Sequence, residues 1–320
     1  MIGDALFIVL GLAVLLIGGD LLVRGAVGLA KAAKVPTLLV SLTIIAFGTS
    51  APELVVSVTA VLKHQPGLAV GNIVGASIAN ILLVLGLPAL FHPMTTHVAG
   101  LRRHGFVLLL ATAAFAAVAY STGAMGPAIG AAFLVGICGY VAWLGVIARR
   151  ERDPVISEVA EYCDKEGSGL AAALAYLACG LIGLPVGADL LVKYGASLIV
   201  AAGVRPEVIG LTIVAFGTTL PELATVGAAA LRKHSEVAIG NVVGSIIFNL
   251  LAVGGAAGLA GGLAFDVATL RVELPVMILA CAALAAFILA QRDLGRIAGL
   301  AFVGAYALFI GAIFIGGAAA

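Results

Sequence analysis

Charged residues are scarce in this chain. Only 10% of its 320 residues are Asp, Glu, Lys or Arg, and 62% are hydrophobic, whereas a soluble domain carries about a quarter charged residues. The mean hydropathy is +1.22. So few polar residues cannot cover the apolar ones, so the composition excludes a soluble globular protein and indicates a lipid environment. A net charge of +1 gives no indication of a nucleic-acid partner.

Cysteine and histidine are also few. The four cysteines show no CxxC spacing, so we interpret them as small packing residues rather than as a metal or redox centre. The five histidines fall at predicted span ends or in loops, so no serine or cysteine nucleophile has a histidine partner within a span. A GxGD-type aspartate pair is absent as well. The sequence therefore predicts that the protein is not an enzyme and needs no cofactor.

Long apolar runs predict an all-α polytopic membrane protein with ten spans. The spans are expected near 3–23, 36–62, 68–91, 105–121, 126–148, 169–192, 205–231, 237–263, 270–290 and 296–316. The first run lacks a basic region before it and is longer than the apolar core of a signal peptide, so we interpret it as a retained span.

Lysine and arginine are distributed unevenly between the two sides of these spans. If both termini lie outside, thirteen of the 17 basic residues fall on the inner side. Because cytoplasmic loops are enriched in Lys and Arg, the sequence predicts a cell (plasma or inner) membrane protein with both termini outside. The charged connection at 149–168 is then a cytoplasmic linker.

An internal repeat determines the predicted architecture. Residues 20–86 align without gaps with residues 189–255, at an offset of 169, and 30 of the 67 pairs are identical. Each repeat holds five spans, so the second enters the membrane from the opposite face, and such inverted pairs place a transport site near the midplane. We expect an N-terminal repeat at 1–148 and a C-terminal repeat at 169–320, forming a single transmembrane domain.

The best-matched block contains polar residues within a span. It reads LTIIAFGTSAPEL at 42–54 and LTIVAFGTTLPEL at 211–223. Pro52 removes a backbone donor and clashes with the carbonyl of Gly48, so carbonyls near this turn lose their helical partners. Together with the hydroxyls of Thr49 and Ser50 and the carboxylate of Glu53, they form a set of hard oxygen donors, which suits Ca²⁺ or Na⁺.

The second repeat supplies the same elements. Thr218, Thr219, Pro221 and Glu222 occupy the equivalent positions. A charged side chain at the bilayer midplane is unfavourable by ~2.5 kcal/mol or more, and it marks a functional site by default. Two neighbouring carboxylates without a cation between them would force one to protonate. Each glutamate could instead be held neutral or paired with a base, but neither span holds a Lys or Arg nearby.

A second repeated block, GNIVGASIAN at 71–80 and GNVVGSIIFN at 240–249, supplies the other half of each predicted site. Its glycines allow close helix approach. The amide oxygens of Asn80 and Asn249 could ligate a cation, although a hydrogen bond to a neighbouring helix is the alternative. Ser245 adds a hydroxyl where the first repeat has Ala76, so the two half-sites are not equivalent.

These paired blocks resemble the α-1 and α-2 repeats of the cation/Ca²⁺ antiporter superfamily, particularly its prokaryotic Na⁺/Ca²⁺ exchangers. The resemblance implies four clustered cation sites, with Ca²⁺ bound centrally by Glu53 and Glu222. It also implies a metal-ligand set comprising Ala46, Thr49, Ser50, Glu53, Asn80, Ala215, Thr218, Thr219, Glu222, Ser245 and Asn249. Ala76 departs from a serine in related members, and Asn249 departs from an aspartate found in some of them, which argues against potassium dependence.

The function expected from the residues and the resemblance is antiport of Ca²⁺ against Na⁺ by alternating access, in which the first and sixth spans slide against the other helices. Ca²⁺/H⁺ antiport is the alternative, since two nearby glutamates can carry protons, and another divalent cation is a further one. A channel fits broken helices in inverted repeats less well. The expected partners are these ions and the lipid bilayer, and a monomer is expected.

Two acid–base pairs at span ends receive a plainer interpretation. Asp20 lies four residues before Arg24, and Asp189 lies four residues before Lys193. Residues at this spacing are neighbours on a helix surface. We expect both to be surface ion pairs or interfacial anchors rather than gates.

Overall fold

The chain folds into long apolar helices joined by short connections, because backbone groups in lipid must find their hydrogen-bond partners within the protein. A computed structural model describes residues 2–33, 35–150, 170–201, 206–267 and 269–317. The ten helical elements are α1 (Ile2–Ala33), α2 (Thr37–Thr49 and Ala51–Leu62), α3 (Pro66–Phe91), α4 (Leu101–Thr122), α5 (Pro127–Arg150), α6 (Leu170–Ala201), α7 (Pro206–Leu231), α8 (Ser235–Ala260), α9 (Thr269–Leu289) and α10 (Arg296–Gly317).

The lengths of these helices agree with a membrane protein. Within the described residues, eight helices are long and apolar enough to cross a membrane, and the two halves of α2 together make a ninth span. The helix α7 occupies the remaining position in the order of ten. The predicted all-helical polytopic fold is therefore confirmed, although most of the linker expected at 149–168 lies outside the described residues.

Two helices are longer than expected. The helix α1 continues to Ala33 and α6 continues to Ala201, about ten residues beyond the predicted ends. The prediction followed hydropathy, which falls at Arg24 and Lys193. Alanine and leucine, which favour the helix, continue past both residues, so the helices extend beyond the apolar segment.

The helices α1 and α6 pack against each other along their length. Glycines make the contact possible. A methyl group at Gly25 would lie 2.5 Å from the backbone nitrogen of Leu177, and one at Gly180 would lie 2.9 Å from the carbonyl oxygen of Gly18. Small residues that let backbones approach are typical of helix pairs in membranes, where van der Waals contact replaces the hydrophobic effect.

Two short strands are the exception to the all-helical prediction. Strand β1 (Ala124–Met125) pairs antiparallel with strand β2 (Leu263–Ala264), so that Met125 faces Leu263. A second bridge joins Met94 to Leu294. By the repeat offset of 169, Met94 is equivalent to Leu263, and Met125 is equivalent to Leu294. The symmetry of the repeats therefore turns the Met125–Leu263 pairing into the Leu294–Met94 pairing.

The described cysteines match the packing interpretation only in part. Cys281 is buried, whereas Cys138 and Cys179 are exposed. Each of the three lies in an apolar helix, so the exposed pair faces outward from the bundle. Cys163 lies outside the described residues.

Substituting Gly25 by alanine should destabilise the protein, because the new methyl group must displace the backbone of α6. Overpacking of this kind is unfavourable by about 1–3 kcal/mol. The expected result is a lower melting temperature in detergent. The matched control is Gly183→Ala, where the nearest atom to a new methyl group is 3.9 Å away. Equal melting temperatures for the two variants would contradict the close contact.

Candidate cation site

The first repeat places its glutamate beside a break in α2. The helix stops at Thr49, Ser50 takes the non-helical angles φ −88° and ψ 8°, and the chain resumes at Ala51 with a bend of 44°. Pro52 lies in the first turn of the second half, where its missing donor is tolerated. The break therefore places Glu53 in the first turn of a new helix, whose free N–H groups favour a nearby negative charge.

The second repeat departs from the expected broken helix. The helix α7 runs continuously from Pro206 to Leu231 with Pro221 inside it. A proline inside a helix removes a hydrogen bond and crowds the carbonyl four residues earlier, but it can be accommodated in a membrane helix when neighbouring helices support the turn. Glu222 is thus presented from an intact helix, while Glu53 is presented from a broken one.

Both glutamates are fully buried, with 0% of Glu53 and 0% of Glu222 exposed. Glu222 is close enough to Glu53 to act on it electrostatically. Across the described residues, no lysine or arginine is buried. The buried histidine, His104, lies in α4, where its Nδ1 is 3.2 Å from the hydroxyl oxygen of Tyr140. Within the described residues, the two carboxylates are therefore not paired with a buried lysine or arginine, which was one of the two alternatives considered for them.

Hydroxyl groups link the two repeats across this site. Ser50 donates a hydrogen bond from its Oγ to Oε1 of Glu222, at 3.0 Å. From the second repeat to the first, the Thr218 side chain contacts Glu53. Thr49 approaches Glu222 and also donates to Oδ1 of Asn241 at 3.4 Å. Each glutamate thus meets hydroxyls supplied by the other repeat.

Several buried oxygen atoms at the site lack a protein partner. Among the described residues, no hydrogen bond reaches either carboxylate oxygen of Glu53, Oε2 of Glu222, or the amide groups of Asn80 and Asn249. Buried polar groups are nearly always hydrogen-bonded, so these atoms indicate a missing partner. Oxygen ligands of this kind are those that hard cations prefer. The donor set fits a cation.

The two asparagines lie at equivalent irregular turns. Asn80 begins the π-helical turn Asn80–Leu85 of α3, and Asn249 begins Asn249–Val253 of α8. The first turn packs against α7 and the second against the latter half of α2. Single π-helical turns are frequent at functional sites. Among the described residues both amides are buried without a partner, so the alternative of a hydrogen bond to a neighbouring helix is not observed there.

The remaining predicted residues lie around this centre. Ser245 is buried and contacts the carbonyl oxygen of Ala46, with an Oγ to O distance of 3.5 Å. Thr219 and Ala46 are also buried. Ala215 lies in α7, in a stretch where only the helical backbone is described. The difference between Ser245 and Ala76 is therefore a difference in the hydroxyls available on the two sides of the site.

The glycines of the second block behave differently in the two repeats. A methyl group at Gly244 would lie 2.7 Å from the carbonyl oxygen of Leu42, and one at Gly240 would lie 3.1 Å from Ser41 Oγ. At Gly71 and Gly75 no atom of the described residues lies within 4 Å. Close helix approach is thus observed where α8 meets α2, whereas the side chains of α7 at the equivalent positions 207–215 lie outside the described part of the chain.

Asn72 and Asn241 are the residues that the sequence reasoning missed. The Nδ2 of Asn72 donates to the carbonyl oxygen of Glu53 at 3.2 Å and to Oγ of Ser57 at 2.9 Å. Asn241 accepts the hydrogen bond from Thr49. The asparagine that follows a glycine in both repeats, at 71–72 and 240–241, was the available signal for them.

The support from Asn72 has no full counterpart in the second repeat. Ser57 corresponds to Val226, which is buried. Within the described residues, Nδ2 of Asn241 has no hydrogen-bond partner. The backbone at Glu53 is therefore held by a side-chain network, consistent with the need to support a broken helix.

Inverted repeats that bury two carboxylates between them define a secondary transporter rather than an enzyme. The sequence family described as "Sodium/calcium exchanger protein" matches residues 4–146 and 172–315. This chain belongs to that family, and the resemblance to prokaryotic exchangers is confirmed.

Three similar proteins illustrate the relationship. The chain is 35% identical over 260 residues to the inner membrane protein YrbG of Escherichia coli, covering 79% of this chain and 78% of that protein. It is 30% identical over 343 residues to the sodium/calcium exchanger MaX1 of Methanosarcina acetivorans, covering 97% and 98%. A structure of the sodium-calcium exchanger NCX_Mj, soaked with Na⁺ and Ca²⁺, has a TM-score of 0.85 at 29% identity, covering 98% and 99%. The ten-helix fold of two inverted repeats is thus confirmed.

Replacing Asn72 by alanine should lower stability, because it leaves the Glu53 carbonyl and the Ser57 hydroxyl without their shared donor. An unsatisfied buried group is unfavourable by about 1–3 kcal/mol. We expect a clear fall in melting temperature in detergent. Ser57→Ala removes only one of the two bonds and should have the smaller effect. If Ser57→Ala proved as damaging as Asn72→Ala, the amide would not be the organising group.

Proposed function

We propose that this protein exchanges Ca²⁺ for Na⁺ across the cell membrane by alternating access, using Glu53 and Glu222 as shared ligands. The observation that carries the proposal is the set of buried oxygen atoms without partners at these two residues and at Asn80 and Asn249. A buried charge requires a compensating charge. Since no buried lysine or arginine among the described residues provides it, a transported cation is the proposed partner.

The proposed ligands divide between a central position and two flanking ones. Ca²⁺ lies between the two glutamates, with the backbone carbonyls of Thr49 and Thr218. The carboxylates supply the negative charge that a divalent ion needs. Asn80 and Asn249 flank this position. The proposed sodium ligands are Ala46, Thr49, Ser50 and Glu53 on one side, and Ala215, Thr218, Thr219, Glu222 and Ser245 on the other.

The exchange follows from competition for the same oxygens. Ca²⁺ and Na⁺ both require Glu53 and Glu222, so full occupancy by one excludes the other. The two carboxylates balance a single Ca²⁺. Exchange of more than two Na⁺ for each Ca²⁺ would move net charge and would respond to the membrane potential.

Ca²⁺/H⁺ exchange is the second candidate. Two buried carboxylates that repel each other take up a proton when no cation lies between them, and Glu53 and Glu222 are both fully buried. The hydroxyl groups of Thr49, Ser50, Thr218 and Thr219 favour sodium, because a proton carrier has no need of them. Another divalent cation in place of Ca²⁺ is also compatible with these ligands.

The proposed orientation follows the uneven distribution of basic residues. Both termini lie outside, and the connection at 149–168 lies in the cytoplasm. The proposed division is 1–148 for the first repeat and 169–320 for the second, in one transmembrane domain and one monomer. The similarity to a protein named as an inner membrane protein supports the cell membrane as its location.

Vesicles containing the purified protein should take up ⁴⁵Ca²⁺ when an outward Na⁺ gradient is imposed at clamped pH and voltage. Glu53→Gln and Glu222→Gln should each abolish uptake, because the amide removes the charge that compensates Ca²⁺. The control is Glu236→Gln, since this glutamate lies in the first turn of α8 beside His234, at 2.9 Å.

The outcomes separate the candidates. Uptake that requires a proton gradient and ignores sodium would replace the proposal with Ca²⁺/H⁺ exchange. Exchange that persists in either glutamine variant would refute the assigned ligands. Flux that neither saturates nor accelerates with ions on the opposite side would indicate a channel.

Restoring a hydroxyl at Ala76 should strengthen sodium binding on the Glu53 side. Ala76 is buried at the position equivalent to Ser245, so Ala76→Ser adds an oxygen to the half-site that has fewer. A hydrogen bond or ligand of this kind contributes about 0.5–1.5 kcal/mol, which corresponds to a fall of roughly two- to tenfold in the half-saturating Na⁺ concentration. Ser245→Ala should shift it in the opposite direction. Unchanged sodium dependence in both variants would remove these positions from the ligand set.

A further inference from the structure

An ion pair joins α1 to the end of α7. Asp20 accepts a hydrogen bond from Nε of Arg24 at 2.9 Å within its own helix, as the spacing predicted. Asp20 also forms an ion pair with Arg232. The three side chains are about one-third exposed. The expectation of a simple surface pair on one helix is therefore incomplete, because Arg232 belongs to the other repeat.

The equivalent residues of the opposite repeat are separate. The offset of 169 relates Asp20 to Asp189 and relates Arg232 to Lys63. Asp189 and Lys63 are both exposed, and neither forms an ion pair within the part of the chain that is described. The expected pair between Asp189 and Lys193 is not observed, because the Lys193 ammonium lies over the ring of Tyr194, 5.6 Å from its centroid.

The helix packing around these residues also differs between the two repeats, and it is again closer at Asp20 and Arg232. A methyl group at Gly19 of α1 would lie 2.7 Å from the carbonyl oxygen of Ala224 in α7, and the adjacent Thr225 is fully buried. The equivalent of Ala224 is Val55 in the second half of α2, and 64% of its surface is exposed. The helix α1 thus covers α7, whereas the matching surface of α2 is open.

We propose that Asp20–Arg232 and Asp189–Lys63 are alternating partners that hold the transporter closed on opposite sides. This inference rests on the proposed alternating access. In inverted-repeat transporters, alternating access is largely the movement of one repeat or bundle against the other around a fixed site. In this proposal, the state that faces the other way is reached when the two symmetry-related repeats exchange their conformations. The tightly packed pair of α1 and α6 then moves so that α6 covers Val55, Asp189 meets Lys63, and Asp20 releases Arg232.

The strength of these contacts suits such a role. A partly exposed ion pair contributes little to stability and is weakened by salt. A contact of this strength biases the balance between two states without fixing either one. Because Asp20 and Asp189 lie on the two helices that are packed together, one movement breaks one contact and forms the other.

The accessibility of introduced cysteines tests the proposed change of ion-pair partners without a measurement of ion transport. Val55→Cys and Ala224→Cys report on equivalent positions of the two repeats, in a background whose four native cysteines are replaced. Adding Asp20→Asn should raise the labelling rate at position 224 by about two- to fivefold and lower it at position 55. Adding Asp189→Asn should shift both rates in the opposite direction. The rates are measured in proteoliposomes with a membrane-impermeant thiol reagent supplied on both sides.

Further variants distinguish the loss of one ion pair from a loss of folding. Arg232→Gln should reproduce the effect of Asp20→Asn, and Lys63→Gln should reproduce that of Asp189→Asn. Lys193→Gln should leave both rates unchanged. If the two aspartate variants changed the rates in the same direction, or changed neither, the alternating pairing would be wrong. That outcome would leave the glutamate variants' effect on ⁴⁵Ca²⁺ uptake untouched, so the two proposals fail separately.

Discussion

The structure depends on two carboxylates that are fully buried where, among the described residues, no lysine or arginine is buried. Burying an ionised carboxylate is strongly unfavourable unless an opposite charge or several donors accompany it. From across the site, Glu222 receives the Ser50 hydroxyl and is approached by Thr49, and Glu53 is contacted by Thr218, which is too little for two charges. We therefore propose that a transported cation completes the electrostatics of this site. That proposed role accounts for the concentration of polar residues in a chain with so few of them.

The site is shared between repeats rather than duplicated within each. Ser50 of the first repeat donates to Glu222 of the second, and Thr218 of the second contacts Glu53 of the first. Asn241 likewise accepts a hydrogen bond from Thr49. Half of the chain would present a carboxylate without the hydroxyls that face it. The inverted arrangement is thus a condition for the chemistry of the site.

Much of the fold and of the site centre was predictable from the sequence. Hydropathy located the ten spans, and the gapless repeat paired Glu53 with Glu222 and Asn80 with Asn249. The ends of α1 and α6 were not predictable by hydropathy, because a helix can extend past the apolar segment. The roles of Asn72 and Asn241 depend on contacts between helices, which spacing along one helix does not reveal. The unbroken course of α7 through Pro221 also depends on its neighbours.

The two short pairings at the ends of the bundle have a consequence for how such a chain could arise. Met125 with Leu263, and Met94 with Leu294, are exchanged by the repeat symmetry, which is the property of an isologous contact in a twofold dimer. A single five-helix polypeptide inserted in both orientations would make the same contacts with its own inverted copy. Fusion into one chain preserves those contacts and frees each copy to diverge, as Ser57 and Val226 have done. The molecule therefore resembles a twofold dimer joined into one chain, in which the two halves differ at individual positions.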